Sequence, residues 1–310
     1  MELRHATILF GDLRGFSAIL SAGPPATVFE VLNRWFVRMS EIAAGHHGTI
    51  DSFIGDAIMV LFGDPRHGVA CAVDMQLAMA DINRANRDAK LPDLYMGIGI
   101  NSGEVIAGVL GSELYSVRTV IGEEVNLAAR IEAFCLRGQI LASEATCGLC
   151  GDFAETGEPM EVYIKGREQG VMLREVHAIP SSGKRVPRQE RRRRPRVQVR
   201  MPFSYQLLAN DVVSQVRAKG SILYLGYRGA LIELDRKLGL FEELRLEVEL
   251  PLTGYRATDL YGRIVNAQPH GGRHRFGVEF TSLGEETRRN IRMLVQMLIQ
   301  GTGSEPSTYH

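Results

Sequence analysis

The sequence predicts an α+β fold in two parts: a mixed sheet with helices, then a small β-barrel closed by a helix. Up to about residue 176, apolar strand-like segments and two long amphipathic patterns follow the order β-α-β-β-α-β. Residues 197–280 hold β-rich runs separated by Gly, Asn and Asp, with almost no helical period. The charge also reverses, from 14 Lys/Arg against 23 Asp/Glu up to residue 178 to 22 against 13 beyond it.

The first part is predicted element by element. Residues 6–12 predict a buried strand ending at Asp12, and residues 48–62 predict a hairpin that turns at Gly55-Asp56. Helices are predicted over 26–45, 66–89 and 123–135, and two strands over 94–110 with a turn at Ser102-Gly103. This order is that of a ferredoxin-like domain with helices on one face of an antiparallel or mixed sheet. The first helix is expected to bury Phe29, Leu32, Phe36, Met39 and Ala43.

Composition shifts predict four segments along the chain. We expect a first domain over 1–178, a linker over 179–190, a barrel domain over 191–300 and a disordered tail over 301–310. No apolar run approaches the roughly 20 residues that span a bilayer, and the N-terminus lacks a signal-peptide pattern. The four cysteines form no disulfide framework. A cytoplasmic protein without a membrane span is therefore expected.

Two carboxylates carry the first functional hypothesis. Asp12 ends the first strand and Asp56 lies in the turn of the hairpin, so both are expected at one edge of the same sheet. Such a pair is costly unless protons or cations compensate it. Mg²⁺ binds through one or two carboxylates together with substrate phosphates. The sequence therefore predicts a metal-dependent enzyme that acts on a phosphate compound.

Four ordered motifs in the first part resemble the class III adenylate and guanylate cyclase catalytic domain, over about residues 5–176. They are Phe10-Gly-Asp-Leu-Arg-Gly-Phe-Ser17, Phe53-Ile-Gly-Asp-Ala-Ile-Met59, Asn101-Ser-Gly-Glu104 and Thr119-Val-Ile-Gly-Glu-Glu-Val-Asn-Leu-Ala-Ala-Arg130. The resemblance implies an enzyme in which the 3′-hydroxyl of a nucleoside triphosphate attacks its own α-phosphorus and expels diphosphate. Activity would require a head-to-tail homodimer, because the Asp pair of one chain meets the Asn/Arg pair of the other.

The resemblance also assigns roles to single residues. Asp12 and Asp56 would hold two Mg²⁺ or Mn²⁺ ions per active site, with the Leu13 carbonyl as a further ligand. Asn126 would orient the ribose, Arg130 would stabilise charge on the α-phosphate, and Lys165 would bind the triphosphate. Backbone N–H groups after the first strand would hold the β- and γ-phosphates, on residues Arg14, Gly15, Phe16 and Ser17.

The purine contacts depart from the family pattern. Ser52 stands where adenylate cyclases usually have Lys and guanylate cyclases usually have Glu, and Thr119 matches the second purine position. Because the guanine-accepting Glu is absent and Thr119 fits adenine, ATP is the expected substrate. GTP is the alternative substrate. A non-catalytic scaffold that binds nucleotide or cyclic di-GMP is the alternative outside the enzyme class.

The second part resembles the PilZ domain over about residues 188–299, through Arg192-xxx-Arg196, Leu260-Tyr-Gly-Arg-Ile-Val265 and Arg275-Phe-Gly-Val-Glu-Phe280. That resemblance implies a six-stranded barrel with a C-terminal helix that binds cyclic di-GMP through Arg192, Arg196 and Gly229. Arg188 and Arg192 fit the same spacing. Where the family has D/N-x-S-x-x-G, this chain keeps only Gly229, so a structural or dimerising barrel stays open. Nucleic acid or anionic lipid ranks third as a partner of the basic segment 184–200.

Overall fold

The structure, a computed structural model, describes residues 1–14, 16, 24–162, 170–187, 196–209, 212–270 and 273–299. The chain divides into two compact units, residues 1–164 with 168–193 and residues 194–310 with 165–167. Each unit has its own hydrophobic core. Among the described residues, no helix combines the length and apolarity needed to cross a membrane.

The first unit is built on one large sheet. Its strands are β1 (Glu2–Arg14), β2 (Thr49–Ile54), β3 (Ala57–Phe62), β4 (Tyr95–Gly111), β5 (Ser116–Ile121), β6 (Ile140–Ser143), β7 (Glu155–Thr156), β8 (Met160–Val162), β9 (Val171–Ile179) and β10 (Lys184–Arg185). Its helices are α1 (Pro25–Gly45), α2 (Pro65–Asp88), α3 (Glu123–Ala133) and α4 (Glu144–Cys150), with short 3₁₀ turns at Gly151–Phe153 and Pro180–Ser182.

The predicted ferredoxin-like core is confirmed by the strand order. The central strands run β4-β1-β3-β2 with antiparallel pairing, and the sheet continues through β6, β9 and β10 beyond β4. β5 pairs with β4, while β7 and β8 pair with β9. β10 lies within the segment that composition predicts as linker. It is held by backbone pairing to β9 and by Lys184, whose Nζ lies 2.7 Å from Asp74 Oδ1.

The helices cover both faces of the sheet, so the prediction of helices on one face was wrong. α1 and α2 pack on one face around Leu9 and Leu13 of β1. α3 packs on the opposite face, where Ile8 and Phe10 of the same strand point. β1 is buried on both sides and lacks the polar alternation of a half-exposed strand. The buried face of α1 also differs in part from the predicted one. Phe29 is 72% exposed, and the buried residues are Val28, Val31, Trp35, Met39 and Ala43.

β4 is one continuous strand, although the sequence predicts a turn at Ser102-Gly103. Its length follows from β1, which pairs with it residue by residue from Glu2 opposite Ala107 to Arg14 opposite Tyr95. The Ser102 hydroxyl is buried against Thr7 of β1, with 2.8 Å between the two oxygens. Long-range pairing therefore overrides the local turn preference of Ser-Gly.

The second unit is a closed antiparallel barrel. Its strands are β11 (Arg196–Ala209), β12 (Val212–Val213), β13 (Ala218–Gly226), β14 (Gly229–Leu234), β15 (Glu243–Leu250), β16 (Tyr255–His270) and β17 (Arg273–Ser282). The order β11-β13-β14-β17-β16-β15 closes because β15 also pairs with β11, and the short β12 lies outside this ring. Helix α5 (Glu285–Ile299) packs Ile291, Leu294 and Val295 into the barrel core. The predicted six-stranded barrel with a C-terminal helix is confirmed.

Candidate active site

Pairing between β1 and β3 brings Asp12 and Asp56 to one edge of the sheet. Asp12 lies directly across from Ala57, the residue that follows Asp56. Asp56 occupies the two-residue turn between β2 and β3, where Gly55 has a φ of 62° that favours glycine. Directly opposed residues in an antiparallel pair have Cα atoms about 4.5–5.5 Å apart. The two carboxylates therefore belong to one site.

The electrostatics of Asp12 reflect this crowding. Burial, with a further contribution from the charge of Asp56, raises the pKa of Asp12 to about 6. The Arg14 guanidinium opposes this shift, with Nη1 lying 3.1 Å from Asp12 Oδ2. A free carboxylate pair would repel itself strongly here, so the site favours a bound proton or cation.

Arg14 connects this edge to the C-terminal end of α3. Its Nη2 donates to the carbonyl oxygen of Glu132 at 2.6 Å and to the Glu132 carboxyl, and its Nε donates to the carbonyl oxygen of Cys135 at 3.2 Å. Those carbonyls lie at the negative end of the helix dipole, where a cation is stabilising. Burial raises the pKa of Glu132 to about 8, Arg14 opposes the shift, and Asp12 and Asp56 add to it.

The donor set fits Mg²⁺ or Mn²⁺ held jointly with substrate phosphates. Within the described residues, no group of three or more His, Cys, Asp or Glu side chains forms a self-sufficient metal site. Mg²⁺ usually keeps one or two protein carboxylates and completes its shell with phosphate oxygens and water. Asp12 and Asp56 supply two carboxylates, and burial together with the charge of Asp56 raises the pKa of Asp12.

Helix α3 presents different residues on its two sides. Leu127, Ala128, Ile131 and Glu132 are buried against the sheet, whereas Asn126 is exposed and Arg130 is half-buried. Positions 126 and 130 are one helical turn apart, so their side chains share a face. That face lies away from the side that brings Glu132 to Arg14, and Asn126 is therefore available to a second molecule.

A second polar cluster lies where β2 approaches β5. The Thr119 hydroxyl donates to Asp51 Oδ2 at 3.0 Å. The β2–β3 ladder shifts register between Ile50 and Ser52, so Asp51 is the extra residue of a β-bulge. Ser52 is half-buried and pairs with Met59. The sequence pointed to Ser52 and Thr119 but not to Asp51, because no local sequence pattern predicts the bulge that contains Asp51.

The predicted phosphate-binding segment is described only in part. Gly15, Ser17, Lys165 and Arg192 lie outside the described residues. Phe16 is buried in the main core, and the Leu13 side chain is buried in the same cluster. The sequence predicted only a role for the backbone N–H of Arg14. In the structure its side chain also contacts Asp12 and the end of α3.

Two of the predicted cyclic di-GMP residues, Arg196 and Gly229, lie at one end of the barrel. Arg196 pairs with Gly226, which pairs with Gly229, so Arg196 of β11 and Gly229 of β14 lie at the same level on either side of β13. Arg196 and Arg228 are exposed, whereas Tyr227 is buried and its hydroxyl accepts from Gln296 Nε2 at 3.3 Å. A Cβ at Gly229 would collide with the carbonyl oxygen of Val278, so barrel packing alone requires this glycine.

Comparison with known families matches both units. The model of the adenylate and guanylate cyclase catalytic domain matches residues 2–175, more than half of the chain. The chain belongs to the adenylate and guanylate cyclase family. The PilZ domain model matches residues 190–297, so the cyclase domain is fused to a PilZ domain as the sequence predicts.

Curated relatives of the cyclase domain include proteins named as adenylate cyclases. The adenylate cyclase of Anabaena cylindrica is 35% identical over 186 residues, 56% of this chain and 37% of that protein. Adenylate cyclase 1 of Rhizobium meliloti is 28% identical over 185 residues, 57% of this chain and 28% of that protein. The chain thus spans about a third of the length of these relatives.

Solved structures of a guanylyl cyclase and of an adenylyl cyclase both resemble the cyclase domain. The guanylyl cyclase Cya2 is 38% identical with a TM-score of 0.58, covering 60% of this chain and 98% of that one. The adenylyl cyclase CyaB from P. aeruginosa is 30% identical with a TM-score of 0.55, covering 57% of this chain and 96% of that one. The likeness therefore assigns the domain to the nucleotidyl cyclases and leaves the choice of purine to its own residues.

Proposed function

We propose that this chain is an adenylate cyclase that converts ATP to 3′,5′-cyclic AMP and diphosphate. The observation that carries the proposal is the opposition of Asp12 to Ala57, which brings Asp12 and Asp56 to one site in a domain of the cyclase family. ATP is preferred because Thr119 fits adenine and because the site lacks the usual guanine-accepting Glu at position 52. Two relatives named as adenylate cyclases support this choice.

The residues divide the chemistry between them. Divalent cations held by Asp12 and Asp56 would supply the positive charge that acidifies the 3′-hydroxyl and neutralises the triphosphate. Arg14 occupies Oδ2 of Asp12 and so holds this carboxylate in one orientation. Arg130 would stabilise the charge that develops on the α-phosphate, while Asn126 would hold the ribose for in-line attack. Lys165 would bind the triphosphate.

We propose that the active site is shared between two copies of this chain. Asn126 is exposed on the side of α3 away from Glu132, whereas Asp12 contacts the guanidinium that reaches Glu132. A head-to-tail homodimer would bring Asn126 and Arg130 of one protomer to Asp12 and Asp56 of the other. Each dimer would then contain two equivalent sites.

Product analysis tests the proposed activity. Purified protein is incubated with ATP or with GTP in the presence of Mg²⁺ or Mn²⁺, and cyclic AMP and cyclic GMP are measured by chromatography. The expected result is metal-dependent cyclic AMP formation that Asp56→Asn lowers by at least about 10²-fold, since a metal ligand is lost. Glu30→Asn, on the exposed surface of α1, is the matched control. Full activity in Asp56→Asn would refute the metal assignment.

We further propose that the PilZ domain binds cyclic di-GMP and thereby regulates turnover. Arg196 and Arg228 are exposed at one end of the barrel, and guanidinium groups can stack on guanine and bind phosphate bidentately. Of the two side chains that could replace the lost motif positions by stacking, Tyr227 is buried and Arg228 is accessible. A GTP-specific cyclase and a non-catalytic scaffold are the competing functions, and the product analysis separates all three.

A further inference from the structure

The purine specificity of the cyclase domain depends on a side chain that the family pattern does not indicate. Ser52 occupies the position of the usual purine-reading Lys or Glu, but its short hydroxyl is a poor substitute for either. One residue earlier, Asp51 carries a carboxylate that is half-buried and bonded to Thr119, the second purine position. We infer that Asp51 acts with Thr119 as the purine-contacting pair and lets the enzyme turn over GTP as well as ATP.

The β-bulge supplies the geometry for this role. In a regular strand, residues 51 and 52 would point to opposite faces of the sheet. Here the ladder shifts between Ile50 and Ser52, and the extra residue of a bulge is a common way to re-aim a side chain beside an active site. The 3.0 Å bond from the Thr119 hydroxyl to Asp51 Oδ2 shows that Asp51 reaches the base-reading position on β5.

The hydrogen-bonding capacity of the pair suits both purines. Guanine presents two adjacent donors, N1–H and the N2 amino group, and an ionised carboxylate accepts both, as the usual Glu would. Adenine presents the acceptor N1 next to the N6 amino group. The carboxylate can accept from N6, while the Thr119 hydroxyl rotates away from Asp51 and donates to N1. One rotatable hydroxyl beside one carboxylate therefore satisfies either base.

This inference rests on the proposed cyclase function, and the test separates the two. kcat and KM are measured with ATP and with GTP for the unaltered chain, Asp51→Asn and Ser52→Ala, with Thr49→Ala as an exposed control on the same strand. Unfolding followed by the fluorescence of Trp35, the one tryptophan, verifies that each variant folds.

The unaltered chain is expected to cyclise both nucleotides. Asp51→Asn keeps an oxygen for Thr119 and for adenine N6, but it places an amino group against the donors of guanine. We expect kcat/KM for GTP to fall about 10- to 100-fold, mostly through KM, and kcat/KM for ATP to fall less than about threefold. A role limited to fastening β2 to β5 would lower both values together.

Three outcomes would overturn the inference. They are an absence of GTP turnover in the unaltered chain, an unchanged ATP-to-GTP ratio in folded Asp51→Asn, and a larger change of that ratio in Ser52→Ala than in Asp51→Asn. The last would return the purine contact to Ser52. If neither ATP nor GTP gave a cyclic product, the proposed function itself would be refuted.

Discussion

Glu132 is the side chain in which the crowding of the cyclase site should be most visible in solution. It is buried, it shares Arg14 with Asp12, and its pKa is raised to about 8. Sequence reasoning gave no hint of it, because it lies on the face of α3 opposite Asn126. The raised pKa means that the folded protein retains a proton that the unfolded chain loses at lower pH.

The expected consequence is a loss of stability with rising pH. A Glu with an ordinary pKa near 4.5 in the unfolded chain and about 8 when folded makes the free energy of unfolding fall between these values. Asp12 adds to this fall between about pH 4 and 6. Glu132→Gln, which keeps an acceptor for Arg14, should flatten the curve and raise the free energy of unfolding at pH 8.5 by at least ~1 kcal/mol.

Urea unfolding in metal-free buffer, followed by Trp35 fluorescence from pH 5 to 8.5, measures this effect. Glu30→Gln on the exposed surface of α1 should give the curve of the unaltered protein. If Glu132→Gln were less stable at every pH, Glu132 would have to be ionised in its pair with Arg14.

At the scale of elements, the approach of α3 to β4 determines where Asn126 and Arg130 lie. A Cβ added to Gly99 of β4 would be 2.6 Å from the Cα of Glu132 and 2.8 Å from the carbonyl oxygen of Ala128. These neighbours are backbone atoms and cannot rotate away. The absence of a side chain at Gly99 therefore permits the close approach of α3 to β4.

Gly99→Ala should consequently displace α3. We expect a destabilisation of about 1–3 kcal/mol. We also expect a drop in kcat of about 10²-fold, because a shift of about 1 Å in a catalytic group has that effect. Gly45→Ala is the matched control, since a Cβ there meets nothing within 4 Å. Cyclase assays and urea unfolding give both readings, and unchanged kcat in Gly99→Ala would show that α3 tolerates the shift.

The elements also show how far sequence reasoning reaches. The helices at 26–45, 66–89 and 123–135 and the hairpin at 48–62 agree with the structure to within two residues, because their periodicity is local. The continuity of β4 depends on pairing with β1, and the position of α3 depends on a sheet that is covered on both faces. A short stretch of sequence contains neither kind of information. In the site, the Asp12 and Asp56 juxtaposition follows from strand order, whereas Arg14, Glu132 and Asp51 depend on tertiary contacts and a bulge.

At the scale of the whole molecule, the shared active site predicts complementation between two inactive variants. Asp56→Asn should inactivate the metal half of a site, and Asn126→Ala the ribose half. In a mixed dimer, one of the two sites contains neither change. Co-refolding equal amounts should therefore restore about a quarter of the normal activity, because about half of the dimers are mixed. A mixture as inactive as its components would mean that each chain forms its site alone.

Regulation by the barrel gives the second prediction at this scale. Cyclic di-GMP should bind and change cyclase turnover, and the double variant Arg192→Ala, Arg196→Ala should lose both effects, since guanidinium contacts to guanine and phosphate disappear. Arg200→Ala, exposed on the same strand as Arg196, is the matched control. Calorimetry without detectable heat at high micromolar ligand would leave the barrel a structural or dimerising role.

The bulge at Asp51 has a further consequence for solubility. Among the described strands, β2 forms an outer border of the sheet, and a straight border strand can template the addition of strands from other molecules. The extra residue interrupts the regular spacing of free backbone groups and adds a carboxylate there. Deletion of Asp51 would leave β2 as a regular edge strand. The exposed side chains of Phe53 and Ile54 on that strand would then favour self-association.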